Sequence, residues 1–346
     1  MNQSILNPIE GFFISSKEKM IFDVKGISHP DDRVIAFVRY IPVKYFKLDK
    51  TDSPTGYRKL YDLDERYAFL KKKFPDYLFD DPKGRGSLQA VLKDRIQTIY
   101  NPLLKMKGLV EEDLQKLDKL EKIALELATQ IEEYSNVKLE NIGISGSILV
   151  DLHNEKSDID LVVYGRKNGQ AIYQNMPEIF DSCFKVSRYS KTELESLWNQ
   201  RGQQNQIDYN SFYDLEKDKR LQGTISSRDF YIRLVLLPDE YYEPYQHTEI
   251  RSLGELEIEA TIANDELSIF TPCIYNLKEV EVKTKSKTID CIPNRIFSVR
   301  GRYADIAKEN DKVNVRGKLE TVKINGKREY YQLTLGTLKN EFFLKI

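Results

Sequence analysis

The sequence is poor in the residues that form cross-links and metal cages. It has only three cysteines and three histidines among its 346 residues. The cysteines are far apart and lack Cys-x-x-Cys spacing, which excludes a disulfide framework and a zinc knuckle. The histidines are equally scattered, so no zinc cluster is expected, and His29 in His-Pro-Asp-Asp is typical of a turn. We therefore expect Cys183, Cys273 and Cys291 to be buried thiols in a reducing cytosol.

Long apolar stretches are also missing. The longest strand-like one, FYIRLVLL, contains an arginine and is far shorter than the roughly 18 residues that span a bilayer. The start of the chain lacks the basic residues and the apolar stretch of a secretory signal. These absences predict a cytoplasmic protein without a membrane partner.

Several catalytic signatures are absent as well. The chain contains no Walker A sequence, no Gly-x-Ser-x-Gly and no cysteine with a convincing histidine partner. P-loop enzymes and serine or cysteine hydrolases are therefore excluded.

The composition that is present favours a globular protein of several domains. Apolar residues make up 40% and charged residues 31% of the chain, a balance typical of soluble folded proteins. We predict an α/β (α+β) fold with a central mixed-sheet domain. The predicted regions are an N-terminal β region (1–62), a helical connector (63–110), the central domain (111–253) and a basic all-β domain (254–346).

Residue patterns predict the individual elements. The stretches FFISSKEKMIFDVKG and RVIAFVRYIPVKYF are rich in strand-forming residues. Helices are predicted in LDERYAFLKKKF and SLQAVLKDRIQTIY, where apolar residues recur three and four apart, and from about Glu111 to Tyr134, where the acidic start complements the helix dipole. From Gly254 onward, five or six short alternating strands indicate a small barrel or sandwich.

The stretch NIGISGSILVDLHNEKSDIDLVVYG, residues 141–165, carries the most informative pattern. Asp158 and Asp160 are two apart in a predicted strand, so their side chains point to one side. Two neighbouring carboxylates repel, and a divalent metal removes that repulsion. Mg²⁺ (or Mn²⁺) suits a site of carboxylate and phosphate oxygens. These two aspartates are therefore candidate metal ligands and catalytic residues.

The residues around this strand suggest a phosphate site. Gly146 and Ser147 lie where a strand ends and a short helical segment begins, and backbone amides at such a place can hold a phosphate. Lys156 and Arg166 flank the aspartate strand and are further candidates for nucleotide binding.

Gly-Ser, a loop and Asp-x-Asp on the next strand resemble the pattern of the DNA polymerase β-like nucleotidyltransferase superfamily. The segment GISGSILVDLHNEKSDIDLVVYG, together with the later segments FYIRLVL and SVRGRYADIAKENDKVNVRGKLE, resembles a family of predicted archaeal nucleotidyltransferases. This resemblance would cover most of the chain. This resemblance implies transfer from an NTP, ATP included, with the help of Mg²⁺. Only Gly146, Ser147, Asp158 and Asp160 match the motif directly, and the resemblance names no acceptor.

The superfamily also implies a third carboxylate on a later strand, where it assists deprotonation of the attacking hydroxyl. In the corresponding strand, Arg233 occupies the position flanked by apolar residues. Alternation puts Asp229 on the same face as Arg233, so Asp229 is a candidate catalytic residue and Arg233 a candidate nucleotide contact. Glu257 and Glu259 in GELEIEA are the rivals for the third position.

Charge is unevenly distributed along the chain, although the net charge is −1. From Lys278 to Ile346 the sequence has 16 Lys and Arg against 9 Asp and Glu. Arg300 and Arg302 are predicted on one strand face, followed by Arg316 and Lys318 on the next strand. Such a face favours RNA or DNA binding, and solvated lysines on a small β domain explain it almost as well.

Two hypotheses follow from these patterns. The first is an enzyme that moves a nucleoside monophosphate from an NTP to a hydroxyl, with RNA or DNA as a candidate acceptor. The second is a non-catalytic nucleotide-binding or nucleic-acid-binding protein that keeps the fold and lacks the third carboxylate. The sequence does not indicate the preferred NTP, the acceptor or the oligomeric state.

Overall fold

The computed structural model describes residues 7–46, 55–201, 207–285 and 291–346, and it contains helices and three β-sheets. The mixed α and β fold is as predicted, and the C-terminal β domain, predicted to be a small barrel or sandwich, is barrel-like. None of the helices in the described ranges is both long and apolar enough to cross a membrane.

The N-terminal part of the chain builds a seven-stranded antiparallel sheet. Its spatial order is β5-β6-β3-β2-β1-β7, with β4 paired to β3. Helix α1 (Leu63–Lys73) begins after Asp62, whose side chain accepts a hydrogen bond from the backbone N–H of Glu65. The strands are β1 (Phe13–Ser16), β2 (Ile21–Val24), β3 (Arg33–Pro42), β4 (Tyr57–Lys59), β5 (Leu78–Asp81), β6 (Gly86–Leu92) and β7 (Ile96–Tyr100).

The prediction of a helix in SLQAVLKDRIQTIY is wrong, because this stretch forms β6 and β7. The spacing of its apolar residues fits the period of a helix and also that of a strand. Ala90 and Val91 become buried where β6 pairs with β3. Tertiary pairing therefore overrides the local pattern. Residues 63–110 are not a helical connector, since β5 to β7 complete the N-terminal sheet between α1 and α2 (Pro102–Glu111).

The long helix predicted from Glu111 begins later in the structure. Helix α3 (Lys119–Ser135) starts at Asp118, which forms a reciprocal capping box with Glu121. Its buried side includes Leu127 and Ile131. The acidic residues at 111–113 instead end α2 and start the connection to α3, so the cap determines the helix start rather than the dipole.

The central sheet has the order β10-β11-β12-β9-β8, with β14 paired to β12. Strands β9 and β12 are parallel, and Tyr231 lies opposite Asp160. The strands are β8 (Ile142–Ile144), β9 (Ile159–Tyr164), β10 (Val186–Ser187), β11 (Gln222–Ile225), β12 (Arg228–Val235) and β14 (Phe270–Thr271). The helices of this region, besides α3, are α4 (Gly146–Leu149), α5 (Arg166–Ser182), α6 (Lys191–Arg201) and α7 (Tyr209–Glu216).

The C-terminal sheet closes on itself. Its spatial order is β13-β15-β16-β18-β17, and β17 also pairs with β13, while β19 pairs with the outer end of β17. Apolar side chains of these strands, such as Ile258 and Leu333, form a separate core. The strands are β13 (Thr248–Asn264), β15 (Cys273–Lys285), β16 (Arg295–Ser298), β17 (Lys312–Ile324), β18 (Arg328–Leu335) and β19 (Phe342–Lys345).

A short segment before β1 docks the N-terminal sheet onto the central one. The Ser145 hydroxyl donates to the Gly11 carbonyl at 2.7 Å, and the Tyr164 hydroxyl donates to the Glu10 carbonyl at 3.1 Å. Gly11 has φ +96°, and a Cβ there would lie 3.0 Å from Tyr164 Oη and from Val162 Cγ2. Glycine is required for this close crossing of β9. The docking leaves a cleft between the two sheets.

Candidate functional site

The cleft combines residues from both sheets. Its charged lining consists of three aspartates and three cations: Asp23, Asp158, Asp160, Arg39, Lys59 and Arg233. The cavity has a volume of about 160 Å³, below the roughly 300 Å³ at which pockets for whole drug-sized ligands begin. It is therefore large enough for a few phosphate groups or ions rather than for a complete nucleotide.

Gly146 lets the aspartate pair lie directly against the start of α4. Asp158 immediately precedes β9 and is exposed, whereas Asp160 lies within β9 and is half-buried. Gly146 has φ +62°, and a Cβ there would lie 2.1 Å from Asp160 Oδ2. Any other residue would collide with that carboxylate, so the Gly and the aspartate form one structural unit.

The carboxylates of Asp158 and Asp160 have no side-chain partner in the part of the chain that the structure describes. Within the described ranges, neither Asp158 nor Asp160 takes part in a side-chain hydrogen bond or an ion pair. Burial and the neighbouring Asp158 raise the pKa of Asp160 to about 6, and the positive charges of Arg233, Lys59 and Arg39 only partly oppose this rise. A bound cation would stabilise the charged form of Asp160 and lower this pKa.

The cations of the cleft are also largely unpaired. Arg39 of β3 donates to the Leu60 carbonyl at 3.0 Å, and neither Arg39 nor Lys59 of β4 forms an ion pair with any described residue. Arg233 of β12 is the exception, since it pairs at 3.1 Å with the fully buried Glu10. Charges of both signs thus line one cavity, and the described residues show no ion pair between them.

Sequence reasoning missed the contribution of the N-terminal sheet. Asp23, Arg39 and Lys59 reach the cleft from β2, β3 and β4. A signal was present for the first two, because each is a charged residue inside a largely apolar strand, MIFDVKG and IAFVRYIPV. This is the same signal that identified Asp158 and Asp160. Asp23 also forms an ion pair with Lys25 at 2.6 Å.

Of the predicted nucleotide contacts, Gly146 and Arg233 lie in the cleft with the aspartate pair. The Ser147 hydroxyl is buried and has no hydrogen-bond partner in the part of the chain that the structure describes. Ser145 lines the cleft in its place. Ser145 and Gly146, rather than Gly146 and Ser147, therefore line the cleft, and the phosphate-binding role of this turn stays a prediction.

Lys156 and Arg166 are not brought to the cleft. Lys156 is exposed in the loop before β9. Arg166 follows the opposite end of β9, where its guanidinium pairs with Glu266 at 3.1 Å and its backbone N–H donates to Glu240. These positions argue against the predicted nucleotide-binding role of both residues.

The candidates for a third carboxylate are in different places. Asp229 is exposed and does not line the cavity, but continuing the β9–β12 register by one residue puts it beside Asp158. Glu257 and Glu259 belong to the barrel, where Thr284 donates to Glu257 and Lys283 pairs with Glu259. Asp23 is the carboxylate that faces the pair across the cleft.

The predicted nucleic-acid face is not a free basic surface. Arg300 and Arg302 lie beyond the end of β16, and Arg302 pairs with Glu341 at 3.0 Å. On β17, Arg316 pairs with Glu255 at 3.3 Å and Lys318 with Glu320 at 2.5 Å.

The label "basic" for residues 254–346 is also wrong. The region has 16 Lys and Arg but also 14 Asp and Glu. The excess found from Lys278 onward arises because that count omits the acidic first strand of the barrel, which carries Glu255, Glu257 and Glu259. The barrel as a whole is therefore close to neutral.

Comparisons with known proteins give one similar chain. "Uncharacterized protein MJ1086" of Methanocaldococcus jannaschii is 26% identical over 345 residues, which cover 96% of this chain and 97% of that protein. No family model matches the chain, and no solved structure matches it. The relative's name states no activity, so the case for a function depends on the cleft.

Proposed function

We propose that this protein is a metal-dependent nucleotidyltransferase that moves a nucleoside monophosphate from an NTP to a hydroxyl group. The observation that supports it best is the cleft that Asp158 and Asp160 line together with Arg39 and Lys59, none of which forms an ion pair with any described residue. A metal and a triphosphate together carry the charges that would neutralise both sets. Charged side chains that share a cleft without forming ion pairs are typical of sites where a ligand supplies the counter-charge.

The donor set fits Mg²⁺ or Mn²⁺. Asp158 and Asp160 would hold the ion through hard carboxylate oxygens, which Mg²⁺ combines with water and phosphate oxygens. In the described ranges, no group of three His, Cys, Asp or Glu side chains is arranged as a metal site, so the remaining ligands would come from substrate and solvent. Such an ion neutralises charge on the reacting phosphates.

The other residues of the cleft would position the triphosphate. Lys59 and Arg39 supply cationic donors from the N-terminal sheet, while Arg233 is fixed by Glu10 on the opposite side. Backbone groups at Ser145 and Gly146 border the same space. Alignment and charge neutralisation at phosphorus are the main requirements of this reaction.

Transfer also needs a group that accepts the proton of the attacking hydroxyl. Asp23 lies in the cleft and Asp229 lies beside Asp158 by strand register, so both are candidates. We favour Asp23, because it lines the cavity.

The decisive experiment incubates the pure protein with each labelled NTP, Mg²⁺ or Mn²⁺, and total RNA or small hydroxyl compounds. We expect labelled product with the wild type and none with Asp160→Asn. Lys59→Gln should weaken NTP binding about tenfold, the loss of one charge-assisted hydrogen bond, whereas Lys318→Gln is the matched control on the barrel. Absence of NTP binding by the wild type would refute the proposal.

The non-catalytic hypothesis predicts a different result in the same assay. A protein that only binds nucleotides would bind NTP and metal through the cleft and transfer nothing to any acceptor. Single-turnover measurements with the tightest-binding NTP separate the two hypotheses.

A further inference from the structure

Tyr61 is a large aromatic side chain that the fold leaves in solvent beside the cleft. It is 70% exposed, although its chain neighbour Leu60 is fully buried. Its ring lies against two cations that line the cleft, with the Arg39 guanidinium carbon 4.8 Å and the Lys59 Nζ 5.1 Å from the ring centre. An exposed aromatic surface therefore adjoins the side of the cleft that the N-terminal sheet forms.

The exposure of this ring does not come from a loose segment. The Tyr61 carbonyl accepts a hydrogen bond from Arg66 at 3.2 Å, and the next residue, Asp62, caps α1. On the other side, the Leu60 N–H donates to the Arg39 carbonyl at 2.9 Å. The backbone of Tyr61 is thus fixed before any ligand arrives, which reduces the conformational entropy lost when a ligand binds to the ring.

The size of the cleft puts most of a nucleotide outside it. Its volume of about 160 Å³ holds phosphate groups but leaves no room for a nucleoside as well. A nucleoside joined to a triphosphate on Arg39 and Lys59 would emerge beside these cations, where the ring of Tyr61 lies. Tyr40 also lines the cleft, but it is only 3% exposed and offers little surface to a ligand.

We infer that Tyr61 stacks against the base of the bound nucleotide. The inference rests on the proposed function, because it takes the triphosphate to lie in the cleft. Aromatic side chains bind bases by stacking, and every base has a π-face, so such a contact accepts all four bases. Tyr61 accordingly distinguishes a nucleotide from an inorganic polyphosphate and contributes little to the choice among bases.

The test compares ATP with inorganic tripolyphosphate, two ligands that share a chain of three phosphates and differ by the nucleoside. Calorimetry with Mg²⁺ and without an acceptor measures both affinities in the wild type, Tyr61→Ala and Tyr61→Phe. Tyr61→Ala should weaken ATP binding at least about fivefold, the loss of one stacked base, and change tripolyphosphate binding less than about twofold. Tyr61→Phe keeps the ring and should bind both ligands as the wild type does.

Tyr242→Ala is the matched control, because Tyr242 is 76% exposed and does not line the cleft. It should leave both affinities unchanged. An equal loss of ATP and tripolyphosphate affinity in Tyr61→Ala would overturn the inference, since it would show that Tyr61 acts by supporting Arg39 and Lys59. A Tyr61→Phe variant as weak as Tyr61→Ala would overturn it as well, because the hydroxyl rather than the ring would then make the contact.

AMP binding measured in parallel separates this inference from the proposed function. If the wild type binds ATP and Tyr61→Ala binds it equally tightly, the inference is wrong and the proposed function stands. If AMP binds as tightly as ATP, depends on Tyr61, and tripolyphosphate does not bind, the stacking surface stands and the proposed function fails. A wild type that binds none of the three ligands would refute both.

Discussion

The charged side chains of the cleft differ from those of the barrel in their partners. In the barrel, Arg302 and Lys318 each face a buried glutamate, Glu341 and Glu320. In the cleft, the described part of the chain offers Asp158, Asp160, Arg39 and Lys59 no ion pair. The barrel contains more lysines and arginines than the cleft. In the described ranges, however, more of the charged side chains of the cleft lack an ion-pair partner.

This difference shows which charges are available to a ligand. An arginine held by a buried carboxylate contributes to folding and has little charge left for a phosphate, because separating the pair exposes an unpaired buried charge. Charges without partners reduce stability and are retained where a ligand supplies the missing counter-charge. The number of partners, rather than the number of lysines and arginines, therefore locates the candidate site.

The largest expected effect concerns the carboxylate that completes the cleft. We expect Asp23→Asn to reduce transfer at least about 100-fold, the usual contribution of a general base, with NTP affinity nearly unchanged. Asp229→Asn is the matched control and should cost less than about tenfold, because Asp229 lies outside the cavity. Single-turnover rates and separate NTP titrations measure both. A larger loss of transfer in Asp229→Asn than in Asp23→Asn would indicate that Asp229 is the general base, as the sequence predicted.

The next effect tests the paired charges of the barrel. Glu341 accepts hydrogen bonds from Arg302, Tyr303 and the backbone N–H groups of residues 336–338. Glu341→Gln should lower the free energy of unfolding by about 3 kcal/mol, the range for breaking a buried charged network. Urea denaturation measures this, with the exposed Glu329→Gln as the control. Equal stability of the two variants would contradict the view that the paired charges of the barrel contribute to folding.

A smaller effect follows from the raised pKa of Asp160, about 6 in the folded protein. Between about pH 4 and 6 the folded state binds more protons than the unfolded state, so stability falls as pH rises through this range. The rise from 3.8 to about 6 corresponds to about 3 kcal/mol at about 1.4 kcal/mol per pKa unit, and solvent screening at this half-buried carboxylate should reduce the loss to about 2 kcal/mol. Denaturation in EDTA should show this loss in the wild type and not in Asp160→Asn. Parallel pH profiles would contradict it, and added Mg²⁺ should restore the wild type above pH 6.

The smallest effect is expected on β17. Replacing Arg316 and Lys318 by Gln should change RNA affinity less than about twofold and leave its salt dependence unaltered, whereas each lost phosphate contact would reduce the salt slope by about 0.7 for a single strand. Both side chains are already paired with glutamates. Fluorescence anisotropy with labelled RNA across a salt series measures this. A clearly flatter slope would show that these residues bind RNA despite their partners.

Sequence patterns predicted the part of the cleft that is local in the chain. Gly146, Asp158 and Asp160 lie within fifteen residues of one another, and strand alternation is enough to place the aspartates on one side. The same reasoning failed for residues 86–100, because short apolar runs fit helix and strand periods equally well. It also did not locate Arg166. This residue follows the end of β9 that is opposite to Asp158, and the length of the strand separates the two ends.

The sequence by itself therefore determined the aspartate pair, the glycine beside it, the mixed α and β character and the C-terminal barrel. These depend on spacing within one or two neighbouring elements. Only the tertiary structure decided that Asp23, Arg39 and Lys59 line the same cleft as that pair, and that Arg302 and Arg316 of the barrel pair with glutamates. The physical reason is that Asp23, Arg39 and Lys59 lie about a hundred residues or more from the aspartate pair in the chain and reach it through the crossing at Gly11, while Arg316 reaches Glu255 through the closure of β13 on β17. The residue pattern within one helix or strand encodes neither contact.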